Sequence, residues 1–490
     1  MSIAQRSVRS SMYTLSASGF NTIVQLVRSI LLARMIAPEI FGIYSFAASF
    51  VLVTSSLPNF GMSSALLHRA AESEGEEPLR VHFTILLVFN LVWAAIIVLI
   101  GMLIFPQDYR WVLWIFLATQ FADNLVVTSR TLLVRRVIFK RIAIVDTLSI
   151  GLSTISALLL AWKGYGIQGL ISTDVIASIV VLLGYLVIRP PWKVHLGWSA
   201  TTARYLLGFG YRTFLGSLVG QALDYIDNLW TGQFLGKTAL GYYSRAYTFS
   251  SYPRKVLAAP INSVAAGTYA ELKENPKQLS QAFFRANALL VRTGFFMAGF
   301  LALIAPEFIY LVIGKQWLPM LDAFRLMLLF TLLDPIRATL SSLFIAVGKP
   351  EKVLWARVTQ LGVLVSGLFI FGRLWGISGV AIAVNLMILI GIILLLWQAR
   401  NYVQFSVMRL FGAPALALVG GLILARLSIE IPGILGSYWR TGGVKSLVFG
   451  VIYLSIIIIL EHKELPLLIN YAKSALPVRE LPSKQIDHPK

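Results

Sequence analysis

Charged side chains lie inside stretches of the sequence that are otherwise apolar, and the basic ones are the first candidates for chemistry. Five of them have no acidic residue three or four positions away, so they lack a partner on their own helix. A guanidinium can donate two hydrogen bonds to phosphate oxygens at once. Placing a charge inside a membrane is costly, so a charged residue there usually belongs to a functional site. We therefore expect these cations to line a wet cavity that attracts an anion. They are Arg28, Arg245, Arg254, Lys255 and Arg292.

Two of the apolar stretches also carry polar residues spaced three and four apart, which is the period of one helix face. Such stripes have two interpretations, an aqueous cleft between helices or hydrogen bonds between neighbouring helices. We favour the cleft, because Arg28 and two aspartates are costly to bury. The first stripe is Thr14, Ser18, Asn21, Gln25 and Arg28. The second is Thr213, Ser217, Gln221, Asp224, Asn228 and Thr231, with Asp227 one turn from Asp224.

Sequence does not fix the rotation of each helix about its own axis. For each of the five cations three positions therefore stay open, facing the cleft, at the bilayer interface, or beside an acid on another helix. The spacing of Asp334 and Arg337 predicts an ion pair within one helix. Asp146 and Asp174 have no such neighbour, and each is expected to pair with an arginine elsewhere.

The composition requires that these residues belong to a membrane protein. Of 490 residues, 57% are hydrophobic and only 13% are charged, and the mean hydropathy is +0.76. A soluble domain carries about 25% charged residues, so a cytosolic enzyme, a nucleic-acid-binding domain and a disordered chain are excluded. The net charge of +20 comes from basic residues in short loops between apolar stretches. Cysteine is absent, and no histidine pair or acidic cluster has metal-ligand spacing, so no metal or cofactor is expected.

A helix that crosses a membrane needs about 20 mostly apolar residues, and this criterion predicts an all-α polytopic protein with about fourteen spans. The first, seventh, eighth and tenth spans are the least apolar, which leaves counts of twelve or thirteen open. The predicted spans are roughly 12–36, 40–60, 82–105, 109–133, 139–162, 165–188, 205–233, 240–268, 286–313, 319–347, 352–373, 376–399, 408–428 and 442–461. Most basic loop residues fall on the side of the N-terminus, which predicts that both termini are cytoplasmic.

An internal repeat divides the chain. The segment that begins Gly42-Ile-Tyr-Ser resembles Gly241-Tyr-Tyr-Ser at an offset of 199, and Gly166-Ile-Gln-Gly resembles Gly376-Ile-Ser-Gly at an offset of 210. Because six spans separate matching elements, the repeat is parallel. We expect a six-helix lobe over 1–200, a second over 201–402, two further helices over 403–465 and a cytoplasmic tail over 466–490.

The chain resembles the oligosaccharide flippases of the polysaccharide-transporter group, the Wzx-like proteins of the MOP superfamily. The resemblance is carried by the segments 32–44 and 227–247, together with Pro253, the segment 258–260 and the polar stretch 269–276. It implies a MATE-like fold, with two six-helix bundles around a central cavity and helices 13 and 14 outside. It also implies the substrate, an undecaprenyl pyrophosphate-linked oligosaccharide that is flipped across the bacterial cytoplasmic membrane during capsule, exopolysaccharide or O-antigen synthesis.

The resemblance also implies roles for individual residues and partners. Related flippases line the cavity with cations from helices including 1 and 8, positions that Arg28, Arg245 and Arg254 fill here. Such flippases are thought to use ion gradients, which makes Asp224 and Asp227 candidate coupling carboxylates, with structural pairing to an arginine as the alternative. A polysaccharide polymerase and glycosyltransferases of the same pathway are the expected protein partners.

Two other functions compete with the flippase. A multidrug exporter of the same fold that carries cations would need an acidic cavity, whereas this chain has more cations than acids at depth. A membrane-embedded enzyme, such as a polysaccharide polymerase or ligase, would carry a large extracytoplasmic loop. The longest such loop, about 427–441, is short and holds only Glu430 and Arg440 as charged residues. We therefore expect no enzyme and no catalytic residue.

Overall fold

Helices make up the regular structure of the described residues, which are 3–68, 75–188, 190–428 and 438–462 of a computed structural model. No strand occurs in these ranges, which confirms the all-α prediction. The predicted tail and most of the loop 427–441 lie outside them. In chain order the helices are α1 (Ile3–Met35), α2 (Pro38–Leu52), α3 (Met62–His68), α4 (Glu77–Ile104), α5 (Arg110–Leu125), α6 (Val127–Arg135), α7 (Phe139–Trp162), α8 (Gly166–Leu182), α9 (Ala200–Phe234), α10 (Lys237–Pro253), α11 (Ala259–Leu272), α12 (Pro276–Glu307), α13 (Leu321–Ala346), α14 (Pro350–Gly367), α15 (Arg373–Ala399), α16 (Val407–Leu427) and α17 (Tyr438–Glu461).

Nine helical stretches in the described ranges are long and apolar enough to cross a membrane. One of them, Pro350–Ala399, covers two of the predicted spans, and α2 is apolar but shorter. The helices α1, α9 and α10 fall outside this set, as expected for the polar first, seventh and eighth spans. The fourteen predicted spans are therefore consistent with the helices, although hydropathy alone identifies fewer.

Several predicted spans are broken inside the membrane region. The predicted span 40–60 is a helix only to Leu52 and continues as turns, and Phe60 (φ 44°) and Gly61 (φ 70°) adopt left-handed backbone angles directly before α3 begins. Pro253 ends α10 and is followed by a π-helical turn over Arg254–Ala258. Proline removes a backbone donor, and such turns are frequent at functional sites. The break at Trp375 and Gly376 separates the eleventh and twelfth predicted spans.

The described chain divides into two compact units. Unit 1 comprises residues 1–252, 301–331 and 350–395, and unit 2 comprises 253–300, 332–349 and 396–490. The predicted lobes and their boundaries stay a prediction. Both units are held by packing of helix on helix, with side chains such as Trp317 and Tyr243 fully buried in unit 1 and Phe283 and Phe449 in unit 2.

Small residues let helices of unit 1 approach closely, as is usual where lipid offers no hydrophobic drive for association. A Cβ on Gly169 of α8 would lie 3.1 Å from the carbonyl oxygen of Ala157 in α7. At the matching repeat position, a Cβ on Gly379 of α15 would overlap the carbonyl oxygen of Phe371. The second echo in the sequence therefore marks two equivalent helix contacts.

The first pair of repeated segments, which begin at Gly42 and Gly241, marks a crossing of α2 and α10, also in unit 1. A Cβ on Gly42 would overlap the carbonyl oxygen of Lys237, and a Cβ on Gly241 would overlap that of Pro38. The repeat offset relates both pairs, because Pro38 corresponds to Lys237 as Gly42 corresponds to Gly241. The two helices thus meet backbone to backbone in a locally two-fold arrangement. Any side chain at either glycine would force them apart.

Candidate functional site

Arg28 lies on the polar stripe of α1 and points its guanidinium at α7. Its Nη1 donates to Ser153 Oγ at 3.2 Å and to Thr154 Oγ1 at 3.5 Å. The side chain is partly buried. Both partners are neutral hydroxyls, so they position the guanidinium without neutralising its charge.

Arg245 of α10 lies close enough to Arg28 for the two charges to repel each other. Its guanidinium carbon lies 4.5 Å from the centre of the Phe41 ring, a cation–π contact. Its Nε is buried and has no hydrogen-bond partner among the described residues. A buried donor without an acceptor costs about 1–3 kcal/mol, so this nitrogen favours an acceptor supplied from outside the protein.

Asp174 of α8 lies near these cations but is held by hydroxyls. Tyr44 Oη donates to Asp174 Oδ2 at 2.8 Å, and Thr173 Oγ1 donates to the same oxygen at 3.0 Å. The prediction that Asp174 pairs with an arginine is therefore wrong, because no arginine lies at ion-pair distance from it within the described residues. The charge of Arg28 acts on the Asp174 carboxylate from further away. The pair predicted for Asp146 is confirmed, since Arg130 donates to it at 2.8 Å.

A further carboxyl, Asp123 of α5, lies near Asp174. Its Oδ1 is buried without a hydrogen-bond partner in the described ranges. The cluster of Arg28, Arg245, Asp174 and Asp123 thus combines two guanidiniums that can hold an anion with two carboxyls. We refer to these four residues as the unit 1 cluster.

Asp227 of α9 occupies the position in the second half that Arg28 occupies in the first. It is only 5% exposed, and Tyr243 Oη donates to its Oδ2 at 2.5 Å. Its Oδ1 accepts from the backbone nitrogen of Asn228 at 2.8 Å. No cation lies at ion-pair distance from Asp227 in the described part of the chain. Asp227 is therefore not paired with an arginine there, which was the alternative to a coupling role.

The remaining stripe residues differ in burial. In α1, Asn21 is buried and Gln25 partly buried, and the Thr14 side chain lies outside the described residues. In α9, Gln221 and Asn228 are partly buried, whereas Asp224 is exposed. The stripes are therefore not uniform wet faces. Whether these side chains line a cleft stays a prediction.

Arg254 belongs to unit 2 and does not lack an acidic partner there. Its Nη1 lies 2.5 Å from Asp334 Oδ2, and the same carboxylate accepts from Arg337. The predicted pair of Asp334 and Arg337 is confirmed, and of the alternatives left open for Arg254 the structure shows an acid on another helix. The neighbouring Lys255 is exposed. Sequence could not reveal the Arg254 contact, because Asp334 lies eighty residues further along the chain.

Arg292 is also paired with an acid on another helix, one of the alternatives that its sequence left open. Its Nε and Nη2 donate to the two carboxylate oxygens of Glu461 at 2.6 and 2.5 Å. Both side chains are only 8% exposed. Arg292 therefore ties α12 to the end of α17 inside unit 2, a structural role that accounts for its charge without a ligand.

The hydroxyls that organise the site were not among the residues predicted for it. Tyr44 donates to the partly buried Asp174 and Tyr243 to the buried Asp227, and the two tyrosines are equivalent residues of the repeat. That equivalence was visible in the matched segments and was the available signal. Ser153 and Thr154 gave none, because single hydroxyls in an apolar helix usually bond their own backbone.

Comparison with known proteins supports the family resemblance. Residues 31–322 match the family model described as polysaccharide biosynthesis protein. A succinoglycan biosynthesis transport protein of Rhizobium meliloti is 26% identical over 306 residues, 59% of this chain and 58% of that protein. A lipopolysaccharide biosynthesis protein of Escherichia coli is 20% identical over 402 residues, 80% of this chain and 81% of that protein. The chain thus spans less than two thirds of the first of these relatives.

Solved structures share the fold. A lipid II flippase in an inward closed conformation superimposes with a TM-score of 0.76 at 18% identity, covering 92% of this chain and 99% of that one. An inward-facing multidrug transporter of the MATE family gives a TM-score of 0.54 at 19% identity, covering 80% of this chain and 94% of that one. The expected MATE-like fold is confirmed. The chain therefore belongs to the polysaccharide biosynthesis protein family of membrane proteins and has the fold of the MOP superfamily.

Proposed function

We propose that the protein flips an undecaprenyl pyrophosphate-linked oligosaccharide across the bacterial cytoplasmic membrane for polysaccharide synthesis. The observation that carries the proposal is the pair of guanidiniums at Arg28 and Arg245. Neither has a carboxylate partner at contact distance in the described chain, and the buried Arg245 Nε has no acceptor. Family membership supports a polysaccharide precursor as the source of the anion.

The proposed mechanism is alternating access. The pyrophosphate binds to Arg28 and Arg245 while the lipid tail stays in the bilayer, and the site then opens toward the other side of the membrane. Guanidiniums suit this task, because they donate two hydrogen bonds to one phosphate and keep their charge throughout. The substrate leaves chemically unchanged, so the protein needs no catalytic group. The name of the Rhizobium meliloti relative, a transport protein, supports this reading.

The competing function is export of cationic drugs. The likeness to MATE transporters is the reason to consider it. Asp174, Asp123 and Asp227 are carboxyls that could attract a cation. The guanidiniums of Arg28 and Arg245 have no carboxylate at contact distance among the described residues and would repel a cation, however, and the family match is to polysaccharide biosynthesis rather than to drug export. We therefore favour an anionic substrate.

A reconstituted transport assay tests the proposal. The full chain is placed in vesicles that carry undecaprenyl pyrophosphate bearing a dansyl-labelled disaccharide, and movement of the label to the opposite leaflet is read by impermeant quenching. We expect flipping at least tenfold faster than in protein-free vesicles, and no acceleration for a labelled phosphatidylcholine. Uptake of ethidium with no flipping of the saccharide lipid would favour the drug exporter and contradict the proposal.

We further propose that Asp227, rather than the exposed Asp224, couples transport to a proton gradient. Asp227→Asn keeps the size of the side chain and an oxygen that can accept from Tyr243, but it cannot exchange a proton. The variant is expected to lose the stimulation by an imposed gradient while it still equilibrates the labelled lipid. Asp224→Asn is the matched control and should respond to the gradient as the parent does. An Asp227→Asn protein that is still stimulated would refute the coupling role.

A further inference from the structure

A cavity of about 850 Å³ opens in unit 2 where α12 begins and where the connection from α15 to α16 passes. Residues 276–285 form one wall and residues 400–409 form the other. The two walls are joined by hydrogen bonds, since the Gln404 backbone nitrogen donates to Ser280 Oγ at 2.9 Å. The Ser406 side chain in turn caps the start of α16 by accepting from the Arg409 nitrogen. The cavity is thus framed by the start of α12, the connection 400–406 and the start of α16.

The charge of this cavity is of one sign. Four of its lining residues are basic, and none of the lining residues in the described chain is acidic. The basic residues are Lys277, Arg285, Arg400 and Arg409. Glu274 lines an adjoining cavity of about 520 Å³ together with Lys273. Such a concentration of guanidinium and ammonium groups attracts a doubly or singly charged phosphate.

The same cavity has an aromatic side. Phe284 and Phe405 line it, and the Arg409 guanidinium carbon lies 5.5 Å from the centre of the Phe284 ring. Phe405 packs on Phe283 with ring centres 5.3 Å apart. A free inorganic anion would gain nothing from this apolar wall, whereas a phosphate that carries a hydrocarbon chain would contact both sides of the cavity.

The position of the cavity along the helices also points to a lipid. The apolar stretches Pro276–Ile313 and Val407–Leu427 begin at the cavity, and Pro350–Ala399 ends there. Three apolar helices that terminate at one place locate it at the boundary between hydrocarbon and water. That is the depth of the phosphate groups of membrane lipids, and basic pockets at this level bind anionic headgroups.

We propose that this cavity binds the phosphate headgroup of an anionic membrane lipid. The proposal does not depend on flipping, because every lining residue belongs to unit 2 and none belongs to the unit 1 cluster. Two lipids carry the required chemistry, a bilayer phospholipid such as phosphatidylglycerol and a polyprenyl phosphate. The basic residues hold the phosphate and the aromatic wall takes the first part of the chain.

Native mass spectrometry of the purified full chain tests the proposal with three probes: dioctanoyl-phosphatidylglycerol, undecaprenyl phosphate and dioctanoyl-phosphatidylcholine. We expect at least one anionic probe to bind about tenfold tighter than phosphatidylcholine. The variant Lys277→Ala/Arg400→Ala removes two exposed cations from the lining of the cavity. It should weaken that binding about tenfold or more. Preference for one anionic probe identifies the source of the phosphate, and binding of both supports the shared chemistry.

The control variant Arg136→Ala/Lys140→Ala removes two exposed cations from unit 1 and should leave binding unchanged. An equal loss in both variants would mean general charge attraction and would overturn the proposal. No preference for either anionic probe, or full binding by the Lys277→Ala/Arg400→Ala variant, would overturn it as well. Helix content by circular dichroism establishes that the variants are folded, and the single change Arg400→Gln replaces the double variant if it is not.

Discussion

The Arg28→Ala variant is expected to flip the labelled saccharide lipid about 30-fold more slowly than the parent, or not at all. A hydrogen bond from a charged donor contributes about 1.5–3 kcal/mol, and a tenfold change corresponds to about 1.4 kcal/mol. Because the hydrogen bonds of the Arg28 side chain to described residues go to the hydroxyls of Ser153 and Thr154, its removal breaks no ion pair at contact distance among them. The loss should therefore appear in transport and not in folding, as checked by initial flipping rates and by the unfolding temperature in detergent.

Two companion variants separate charge from geometry. Arg28→Lys keeps the charge but not the planar set of donors, so it should retain part of the activity. Ser153→Ala removes one positioning hydroxyl and keeps the guanidinium, so its rate should stay within a few-fold of the parent. If the Arg28→Ala variant flips the lipid at the rate of the parent and responds to the gradient as the parent does, Arg28 is excluded from the transport path.

The second large effect is expected at the buried pair of Arg292 and Glu461. Glu461→Ala leaves the Arg292 guanidinium buried without its bidentate partner, and breaking a buried ion pair in this way typically costs about 3–5 kcal/mol. Here the pair links α12 to the end of α17, and Tyr453 Oη also donates to the Arg292 carbonyl at 2.8 Å. We therefore expect a lower unfolding temperature and loosening of the last helix, measured by thermal unfolding and by protease access to the C-terminal segment.

The double variant Arg292→Met/Glu461→Leu is the control, because it removes both charges and keeps apolar volume. Replacing a buried pair by packed apolar residues is often neutral or stabilising, so this variant should recover most of the lost stability. It should also retain flipping, since the pair is assigned to structure and not to substrate. A stable Glu461→Ala protein, or a double variant that folds but does not flip, would contradict this assignment.

Much of the fold was predictable because the membrane limits what the chain can do. Apolar length marks most spans, and the polar stripes of α1 and α9 explain why hydropathy undercounts them. The repeated glycines were also readable, since the echoes at Gly42 and Gly241 correspond to a real helix crossing. The end of α2 at Leu52 was not predictable from apolar length, because apolar residues continue through the turns that follow it.

The site was predictable only in part, because helix rotation and distant pairing decide it. All five candidate cations looked alike in sequence, as none had an acid three or four residues away. Arg254 and Arg292 form ion pairs with acids that lie far away in the sequence. Arg28 and Arg245 have no carboxylate at contact distance among the described residues. Spacing within one helix predicts only local pairs such as Asp334 with Arg337. The hydroxyls of Tyr44 and Tyr243 show that the repeat held more information about the site than charge did.

The contact between Gly42 and Gly241 limits how unit 1 can move. The carbonyl oxygens of Lys237 and Pro38 occupy the space that a Cβ on Gly42 or Gly241 would fill, so the two backbones are in direct contact at the crossing. Side chains also join the two helices, since Lys237 pairs with Glu39 at 2.6 Å and Arg245 lies over the Phe41 ring. We therefore expect the crossing to be the part of the two helices that shifts least. A transport cycle built on this fold would keep that point fixed and tilt the rest of both helices around it.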